Sequence, residues 1–301
     1  MVELWVLVTL AAAFFQTLRF ILHKLLSMGA LSATGSTFAR FAYAAPAAWV
    51  CVGGYLLTTG QGIPDLSLAF WGYAMMGALA QIFATICVVA LFGRRNFAVG
   101  ITFKKTEVIL TALVGLIILG EAVSTGGWLA IFIGLGGVLL LSDMPAAGSK
   151  GLARIASPAV ALGLASGLFF AFSAVGYRGA SLQLASADPF VRSGVTLLCV
   201  TTSQALAMAI WLRLREPGQI TAVWKARRRA ALLGLTSMAG SLGWFTAFTL
   251  QTAAYVQALG QIELVLSLIA SVLFFRETVT RRELGGIALL GVSIVVLVLL
   301  A

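Results

Sequence analysis

Long apolar stretches alternate along the chain with short connections that are polar or contain glycine and proline. Most stretches run for about 20 residues, the length of a helix that crosses the hydrocarbon core of a bilayer. The pattern therefore predicts an all-α integral membrane protein with ten transmembrane helices. The predicted spans lie near residues 3–22, 33–57, 66–92, 97–119, 124–142, 157–180, 187–212, 230–250, 254–275 and 282–300.

The composition agrees with this class and excludes others. Of the 301 residues, 60% are hydrophobic and 10% are charged, whereas about 25% of the residues of a soluble domain are charged. The longest polar stretch, from Arg213 to Arg229, is too short to form a catalytic domain. No basic surface domain carries the net charge of +10, so we expect contact with the lipid bilayer and no nucleic-acid partner.

One linker-like stretch divides the chain into two halves of five spans each. We expect a first repeat over residues 1–142, a linker over residues 143–156 and a second repeat over residues 157–301. At an offset of 156 residues, Glu107 of span 4 aligns with Glu263 of span 9. Because each half has an odd number of spans, the second half enters the membrane in the opposite sense, which predicts a 5+5 inverted-topology repeat.

Charges in the connections predict the orientation of the chain. The connections on one face hold 14 basic residues, whereas the opposite face holds at most two, Arg178 and Arg192. Basic loops remain in the cytoplasm. We therefore predict that both termini lie outside the cytoplasm, in an inner or plasma membrane of the bacterial type.

Motifs for covalent catalysis are absent from the sequence. There is one histidine, His23, and neither an HExxH nor a GxxxxGK[ST] motif occurs. The cysteines Cys51, Cys87 and Cys199 lie singly in apolar stretches, unlike those of disulfide or zinc sites. We expect no enzyme activity, no cofactor and no metal site, and we interpret His23 as a residue of the membrane interface.

Charged residues inside the predicted spans are the candidates for function, because each costs about 2.5–3.5 kcal/mol at a helix centre unless it is paired or wetted. Span 4 contains Lys104, Lys105 and Glu107, of which Lys104 and Glu107 have the i, i+3 spacing of a helical ion pair. Two interpretations are open, a snorkelling lysine cluster with a structural ion pair or the wall of a cavity near the midplane. The predicted substrate-binding and cavity residues are Gln16, Arg19, Gln81, Lys104, Lys105, Glu107, Trp244, Tyr255, Gln257 and Gln261.

Three arginines in the spans have alternative roles. Arg19 of span 1 is predicted either to bind an anionic group, since a guanidinium binds carboxylates bidentately, or to snorkel to the interface. Arg40 and Arg192 occupy similar places in spans 2 and 7. Their symmetry favours a shared structural role, such as tying a helix end to neighbouring carbonyl groups, over contact with a substrate.

Glu263 is the predicted ion-coupling residue. Burial in a low-dielectric bundle favours the neutral form of a carboxyl group, which then exchanges protons more readily. Glu107 has Lys104 and Lys105 beside it, and these cations favour its charged form. Along the sequence, Glu263 has no basic residue within one helical turn, so it is the better proton carrier of the two.

The two halves end in the same order of motifs, a glutamate turn followed by a Gly-rich last helix. The motifs are Leu119–Glu121 before Gly134–Val138 and Phe275–Glu277 before Leu289–Val292, with Arg40 and Arg192 at matching places in spans 2 and 7. We interpret Glu121 and Glu277 as helix-turn caps. In this order and in its ten spans, the chain resembles the EamA-type transporters of the drug/metabolite transporter superfamily.

The resemblance implies a membrane carrier, usually an exporter of small metabolites or amino acids. Its central cavity would be lined by spans 1, 3, 4, 6, 8 and 9, and spans 5 and 10 would be peripheral. The sequence departs from the family at residues 104–107, where relatives usually have apolar residues and a proline. It departs also in its charges, since family members commonly have both termini in the cytoplasm.

The sequence therefore predicts a secondary transporter of small polar metabolites or amino acids, working by alternating access. Its energy would come from an ion gradient or from exchange. The alternative is a non-transporting membrane receptor or assembly protein, in which the polar residues of the spans would pair with one another. The expected partners are a small-molecule substrate and the lipid bilayer, and both a monomer and a homodimer are open.

Overall fold

The computed structural model describes residues 3–27, 31–92, 103–141, 158–275 and 280–300. These residues form twelve α-helices and no strand, which confirms the all-α class. The helices are α1 (Leu4–Ser27), α2 (Ala33–Thr59), α3 (Leu68–Phe92), α4 (Glu107–Leu119), α5 (Thr125–Leu141), α6 (Pro158–Leu182), α7 (Pro189–Arg215), α8 (Gln219–Lys225), α9 (Arg227–Leu250), α10 (Ala253–Gly260), α11 (Ile262–Phe275) and α12 (Arg281–Leu300).

Many large apolar side chains are exposed on this bundle, whereas several charged side chains are buried inside it. Seven of the described helices, α1, α2, α3, α6, α7, α9 and α12, are long and apolar enough to cross a membrane. Leu57 is 85% exposed and Leu68 is 90% exposed, whereas Arg40 is 1% exposed. Such a surface suits lipid, and ionisable groups in membrane spans face the bundle interior. The chain is therefore an integral membrane protein.

Two of the ten predicted spans are interrupted in the part of the chain that the structure describes. Predicted span 9 consists of two helices, α10 and α11, which meet at Gln261, and the described part of span 4 turns at Thr106 before α4 begins. The side chain of Gln261 donates to the carbonyl of Gln257 at 3.1 Å, and that of Thr106 donates to the carbonyl of Phe103 at 2.8 Å. Both side-chain bonds thus lie where the helix is interrupted. The period of the apolar residues carries no sign of the interruptions.

Most of the close helix pairs join the two predicted halves. Helix α1 packs against α9, α3 against α6 and α2 against α7. A Cβ atom on Gly176 of α6 would lie 2.8 Å from the backbone nitrogen of Gly77 in α3. Glycine at this crossing lets the two backbones touch, which strengthens van der Waals packing where lipid supplies no hydrophobic driving force.

Helices α5 and α12 form a separate pair at the side of the bundle. Their backbones also touch, because a Cβ atom on Gly137 would lie 2.9 Å from the carbonyl oxygen of Gly286. The hydroxyl of Ser293 donates to the carbonyl of Ala130 at 2.7 Å. Neither helix contributes to the central cavity described below, in agreement with the peripheral place that the resemblance implies for spans 5 and 10.

A short helix that the sequence analysis does not predict, α8, closes one end of the bundle. Ser32 caps α2 by accepting from the backbone N–H of Gly35 at 2.9 Å, and its hydroxyl donates to Glu216 at 2.6 Å. The backbone N–H of Ser32 donates to Gln219 at 3.1 Å, so α8 is fixed beside the start of α2. The exposed basic side chains at this end include Arg213, Arg215, Lys225, Arg227, Arg228 and Arg229.

Several residues on which the predicted 5+5 division and orientation depend lie outside the described part of the chain. They include the predicted linker 143–156, Glu277, and the basic residues Arg94, Arg95, Lys150, Arg154 and Arg276. The 5+5 division and the orientation of the termini therefore stay predictions.

Candidate functional site

In the described ranges, the interior of the helix bundle holds six charged side chains, each at most 7% exposed to solvent: Arg19, Arg40, Lys104, Lys105, Glu107 and Glu263. Spans 1, 2, 4 and 9 supply them. Because an unpaired charge at this depth is costly, the contacts of these six side chains decide what the site can bind.

The first ion pair lies within one helical turn. Lys104 Nζ is 3.0 Å from both carboxylate oxygens of Glu107, which confirms the pair that the i, i+3 spacing predicts. Lys104 Nζ also lies 4.8 Å from the ring centroid of Phe170, within the range of a cation–π contact. Gln261 of the other half donates to Glu107 at 3.5 Å. The start of α4 thus meets the break between α10 and α11.

The second ion pair joins the two predicted halves. It corrects the expectation that Glu263 has no basic neighbour. Lys105 Nζ lies 4.0 Å from Glu263 Oε1, so this carboxylate does have a basic neighbour. Gln16 of α1 donates to Glu263 at 2.7 Å, and its amide oxygen accepts from Arg19 at 2.7 Å. The sequence shows neighbours on one helix only, whereas this cation comes from span 4 and the carboxylate from span 9.

The two glutamates occupy matching places in the interrupted helices. Glu107 is the first residue of α4, and Glu263 lies in the first turn of α11. The first backbone N–H groups of a helix have no partner within it and favour negative charge. Discontinuous helices at corresponding places of two repeats are typical of the binding sites of secondary transporters.

A central cavity of about 30 Å³ lies beside these pairs. It is lined by α1, α3, the start of span 4, α6, α9 and α10, which are the six spans that the resemblance implies. The lining residues are Gln16, Arg19, Gln81, Lys104, Glu107, Phe170, Ser173, Ala174, Tyr177, Ser241, Trp244, Phe245, Phe248 and Gln257.

The structure brings most of the predicted site residues together. Seven of the predicted cavity residues line the central cavity. Lys105, Gln261 and Glu263 lie next to it in the network of ion pairs and hydrogen bonds. Tyr255 is the exception, because its hydroxyl exchanges hydrogen bonds with Ser124 at the start of α5.

Apart from Trp244, the aromatic and hydroxyl residues of the lining were not predicted from the sequence. Tyr177 stacks on Phe245 with 4.1 Å between ring centroids, and Trp244 stacks on Phe248 at 5.8 Å. Gln204 donates to the Tyr177 hydroxyl at 3.3 Å. Aromatic residues in membrane helices are common in packing and at interfaces, so the sequence carried no signal that separated these from the rest.

Arg40 and Arg192 do not share a role, contrary to the prediction from their symmetry. Arg192 does tie a helix end to a carbonyl, since it donates to Ser181 O at 3.0 Å. Arg40 instead donates to the hydroxyls of Thr85 at 3.0 Å and Ser241 at 3.3 Å. Because Ser241 lines the central cavity, Arg40 lies directly behind its wall.

His23, interpreted from the sequence as a residue of the membrane interface, is buried between helices. This side chain has no solvent exposure, and its Nδ1 lies 2.9 Å from the Ser36 hydroxyl. Glu121, interpreted from the sequence as a helix-turn cap, forms an ion pair with Arg178 at 2.5 Å. Both cases depend on a partner from another helix.

Two hydrogen-bond donors of the cavity wall have no partner. Arg19 Nε and Trp244 Nε1 are buried and unbonded, although Arg19 also donates to Gln16 through Nη2. Within the described ranges, no three His, Cys, Asp or Glu side chains come together to hold a metal ion. The site therefore offers ammonium, guanidinium, amide and indole donors, which suit a ligand with acceptor groups.

Comparisons with known proteins agree with this geometry. A crystal structure of another protein has a TM-score of 0.72 to this chain at 16% sequence identity, and the alignment covers 99% of this chain and 97% of that chain. At this identity the likeness shows the fold alone. No curated protein sequence matches the chain. Residues 157–299 match the model of the EamA-like transporter family, which confirms, for the second half of the chain, the resemblance to EamA-type membrane transporters.

Proposed function

We propose that the chain is a secondary transporter that exports a small polar metabolite or amino acid by alternating access of two inverted halves. The observation that carries the proposal is the central cavity, because both predicted halves supply its polar residues. Gln16, Lys104 and Glu107 come from the first half, and Trp244 and Gln257 from the second. In a non-transporting scaffold, such residues would satisfy one another, whereas Trp244 Nε1 has no partner here.

The size of the cavity supports a conformation in which the site is too narrow for a metabolite. Its volume of about 30 Å³ holds no more than about two water molecules. Pockets for drug-sized ligands measure about 300–1,000 Å³. A metabolite therefore enters only when the helices around the cavity separate, and the breaks at Thr106 and Gln261 supply the places where spans 4 and 9 bend.

The pair of Lys105 and Glu263 is our candidate for ion coupling. The two side chains connect span 4 of the first half with span 9 of the second across 4.0 Å. A proton that binds Glu263 removes the carboxylate charge and with it the attraction to Lys105. Protonation would thus loosen the contact between the halves, and deprotonation would restore it. Glu263 thus couples to protons as a partner of Lys105 and not as an isolated carboxyl group.

Transport by the purified protein tests the proposal. Proteoliposomes would be given labelled amino acids and small metabolites, with and without a pH gradient. We expect saturable uptake of at least one solute, driven by the gradient or by exchange. No saturable flux of any solute, from protein that elutes as a single folded species, would contradict transport and favour a receptor or assembly protein.

Orientation determines what direction such transport takes. The exposed basic residues beside α8 support a cytoplasmic position for this end of the bundle. We propose on this basis that both termini lie outside the cytoplasm, in an inner or plasma membrane of the bacterial type. Export would then carry the substrate from the end that bears α8 to the opposite end.

A further inference from the structure

The buried charges of the site do not balance. Among the described residues, the bundle interior holds four cations, Arg19, Arg40, Lys104 and Lys105, against the two carboxylates of Glu107 and Glu263. Each carboxylate already lies within 4.0 Å of a lysine. In the described part of the chain, neither arginine has a carboxylate at that distance. Two positive charges thus stand without counterions in a region of low dielectric constant, where isolated charge is disfavoured.

The excess of positive charge is directed at the cavity. Arg19 is 98% buried, lines the cavity and has an unbonded Nε, as does the indole Nε1 of Trp244. Arg40 lies one layer behind, bonded to Ser241 of the wall. Buried donors without acceptors are rare in folded proteins and call for a missing partner. A guanidinium group pairs with a carboxylate in a bidentate geometry that lysine cannot provide.

One part of the wall is apolar and aromatic, beside polar side chains such as Gln16, Gln81 and Gln257. Phe170, Tyr177, Phe245 and Phe248 line the cavity, and two of them, Tyr177 and Phe245, stack on each other. Aromatic rings bind apolar groups over a large area. The cavity therefore combines a cationic donor edge with an apolar face, which is complementary to a molecule that has one anionic end and an apolar body.

We propose that the substrate of this site is a small organic anion with an apolar or aromatic body and a carboxylate. The carboxylate accepts hydrogen bonds from Arg19 and Trp244, and the body lies against the rings of α6 and α9. This inference rests on the proposed transport function and adds the class of substrate. Binding supplies the counterion that the interior lacks, so the occupied site is more stable than the empty one.

Matched ligands that differ only at one end test the inference. Phenylacetate, phenylacetamide and phenethylamine share a ring and carry a carboxylate, a neutral amide and an ammonium group, and the same three forms exist with indolyl and isobutyl bodies. Binding to the purified full-length chain would be measured by competition with labelled phenylacetate and by thermal unfolding. We expect at least one carboxylate to bind at least tenfold more tightly than its amide and amine. If no carboxylate does, the inference is wrong.

Variants of Arg19 separate its charge from a general effect on folding. Arg19→Gln should weaken carboxylate binding at least tenfold, Arg19→Lys should weaken it less, and Arg213→Gln should leave it unchanged. Arg213 is the matched control because it loses the same charge at an exposed position. Carboxylate binding by Arg19→Gln at the wild-type level would overturn the proposal. If Arg19→Gln does not fold, the comparison of carboxylate with amide in the wild-type chain decides.

Transport distinguishes this inference from the function on which it rests. Saturable uptake of neutral or cationic solutes without uptake of any carboxylate would overturn the anion class and leave the transporter standing. Carboxylate binding without saturable flux of any solute would contradict the transporter and leave the anion site standing.

Discussion

Lys105 Nζ lies 4.0 Å from Glu263 Oε1, and this contact joins a cation of the first predicted half to a carboxylate of the second. The other pair, Lys104 with Glu107, stays within span 4 and bridges the turn before α4. The two adjacent lysines therefore form different ion pairs: Lys104 pairs within span 4, and Lys105 pairs with the other half. The difference arises where the chain turns at Lys105 and Thr106, ahead of α4.

The first prediction concerns the energetic coupling of Lys105 and Glu263. Lys105→Met and Glu263→Gln each leave the other partner without its counterion, so each should destabilise the protein. In the double variant no charge is left alone, and we expect it to be more stable than the sum of the single effects by about 1–3 kcal/mol. Unfolding in a fixed detergent measures all four proteins. Strict additivity would show that the contact carries no coupling energy.

The second prediction concerns the dependence of transport on pH. Glu263→Gln keeps a side chain that can bond Gln16 but cannot take up a proton. We expect it to abolish the dependence of flux on the pH gradient while substrate binding persists. Asp65→Asn is the matched control, because Asp65 is an exposed carboxylate in the connection between α2 and α3. A wild-type pH profile in Glu263→Gln would remove Glu263 from the coupling mechanism.

The third prediction concerns the crossing of α3 and α6. A Cβ atom on Gly176 would lie 2.8 Å from a backbone nitrogen, which cannot move as a flexible side chain does. Gly176→Ala should therefore separate the helices and destabilise the protein by about 1–3 kcal/mol. At Gly72 of α3 an added Cβ would meet no atom within 4 Å, and Gly72→Ala should stabilise the helix by up to about 1 kcal/mol. Equal effects of the two variants on the unfolding temperature would contradict this account.

The fourth prediction concerns the response of the α6–α7 connection to acid. The hydroxyl of Tyr55 donates to Asp188 at 2.7 Å, and this bond, with that from Gln61 at 3.1 Å, lowers the pKa of the Asp188 carboxyl. The folded state thus gains stability above the unfolded-state pKa of Asp, about 3.9, and loses it as the pH falls through the lower folded-state pKa. Because the site is open to solvent, the gain should be below about 1 kcal/mol.

Tyr55→Phe tests this response. The variant removes the largest cause of the lowered pKa, so the loss of stability in acid should be smaller than in the wild type and should occur at a higher pH. Unfolding curves between pH 6 and pH 2.5 measure both. An unchanged acid profile in Tyr55→Phe would show that the Tyr55 bond does not govern the titration of Asp188.

The fifth prediction concerns topology. A fluorescent reporter that matures only in the cytoplasm, fused after Ala301, should stay dark. A periplasmic phosphatase fused at the same place should be active. The reverse result would refute the prediction from loop charges and give the chain the common orientation of the family.

The sequence by itself determined the class of the protein and most of its helices. A composition of 60% hydrophobic residues forces a membrane environment, and each apolar stretch forms a helix because lipid leaves backbone groups no other partner. The charged positions of spans 1, 4 and 9 were visible for a similar reason, since charge is rare where it is costly. The pair of Lys104 and Glu107 followed from spacing along one helix.

Only the tertiary structure decided which of these residues meet. It placed Lys105 against Glu263, Arg40 behind Ser241, and Tyr255 away from the cavity. It also interrupted span 4 at Thr106 and span 9 at Gln261, where side chains bond to backbone carbonyls. Contacts between helices depend on rotation and crossing in a bundle of similar apolar surfaces, and many arrangements bury such surfaces equally well. The period of one helix contains no information about its neighbour, so the arrangement of the site is decided by packing.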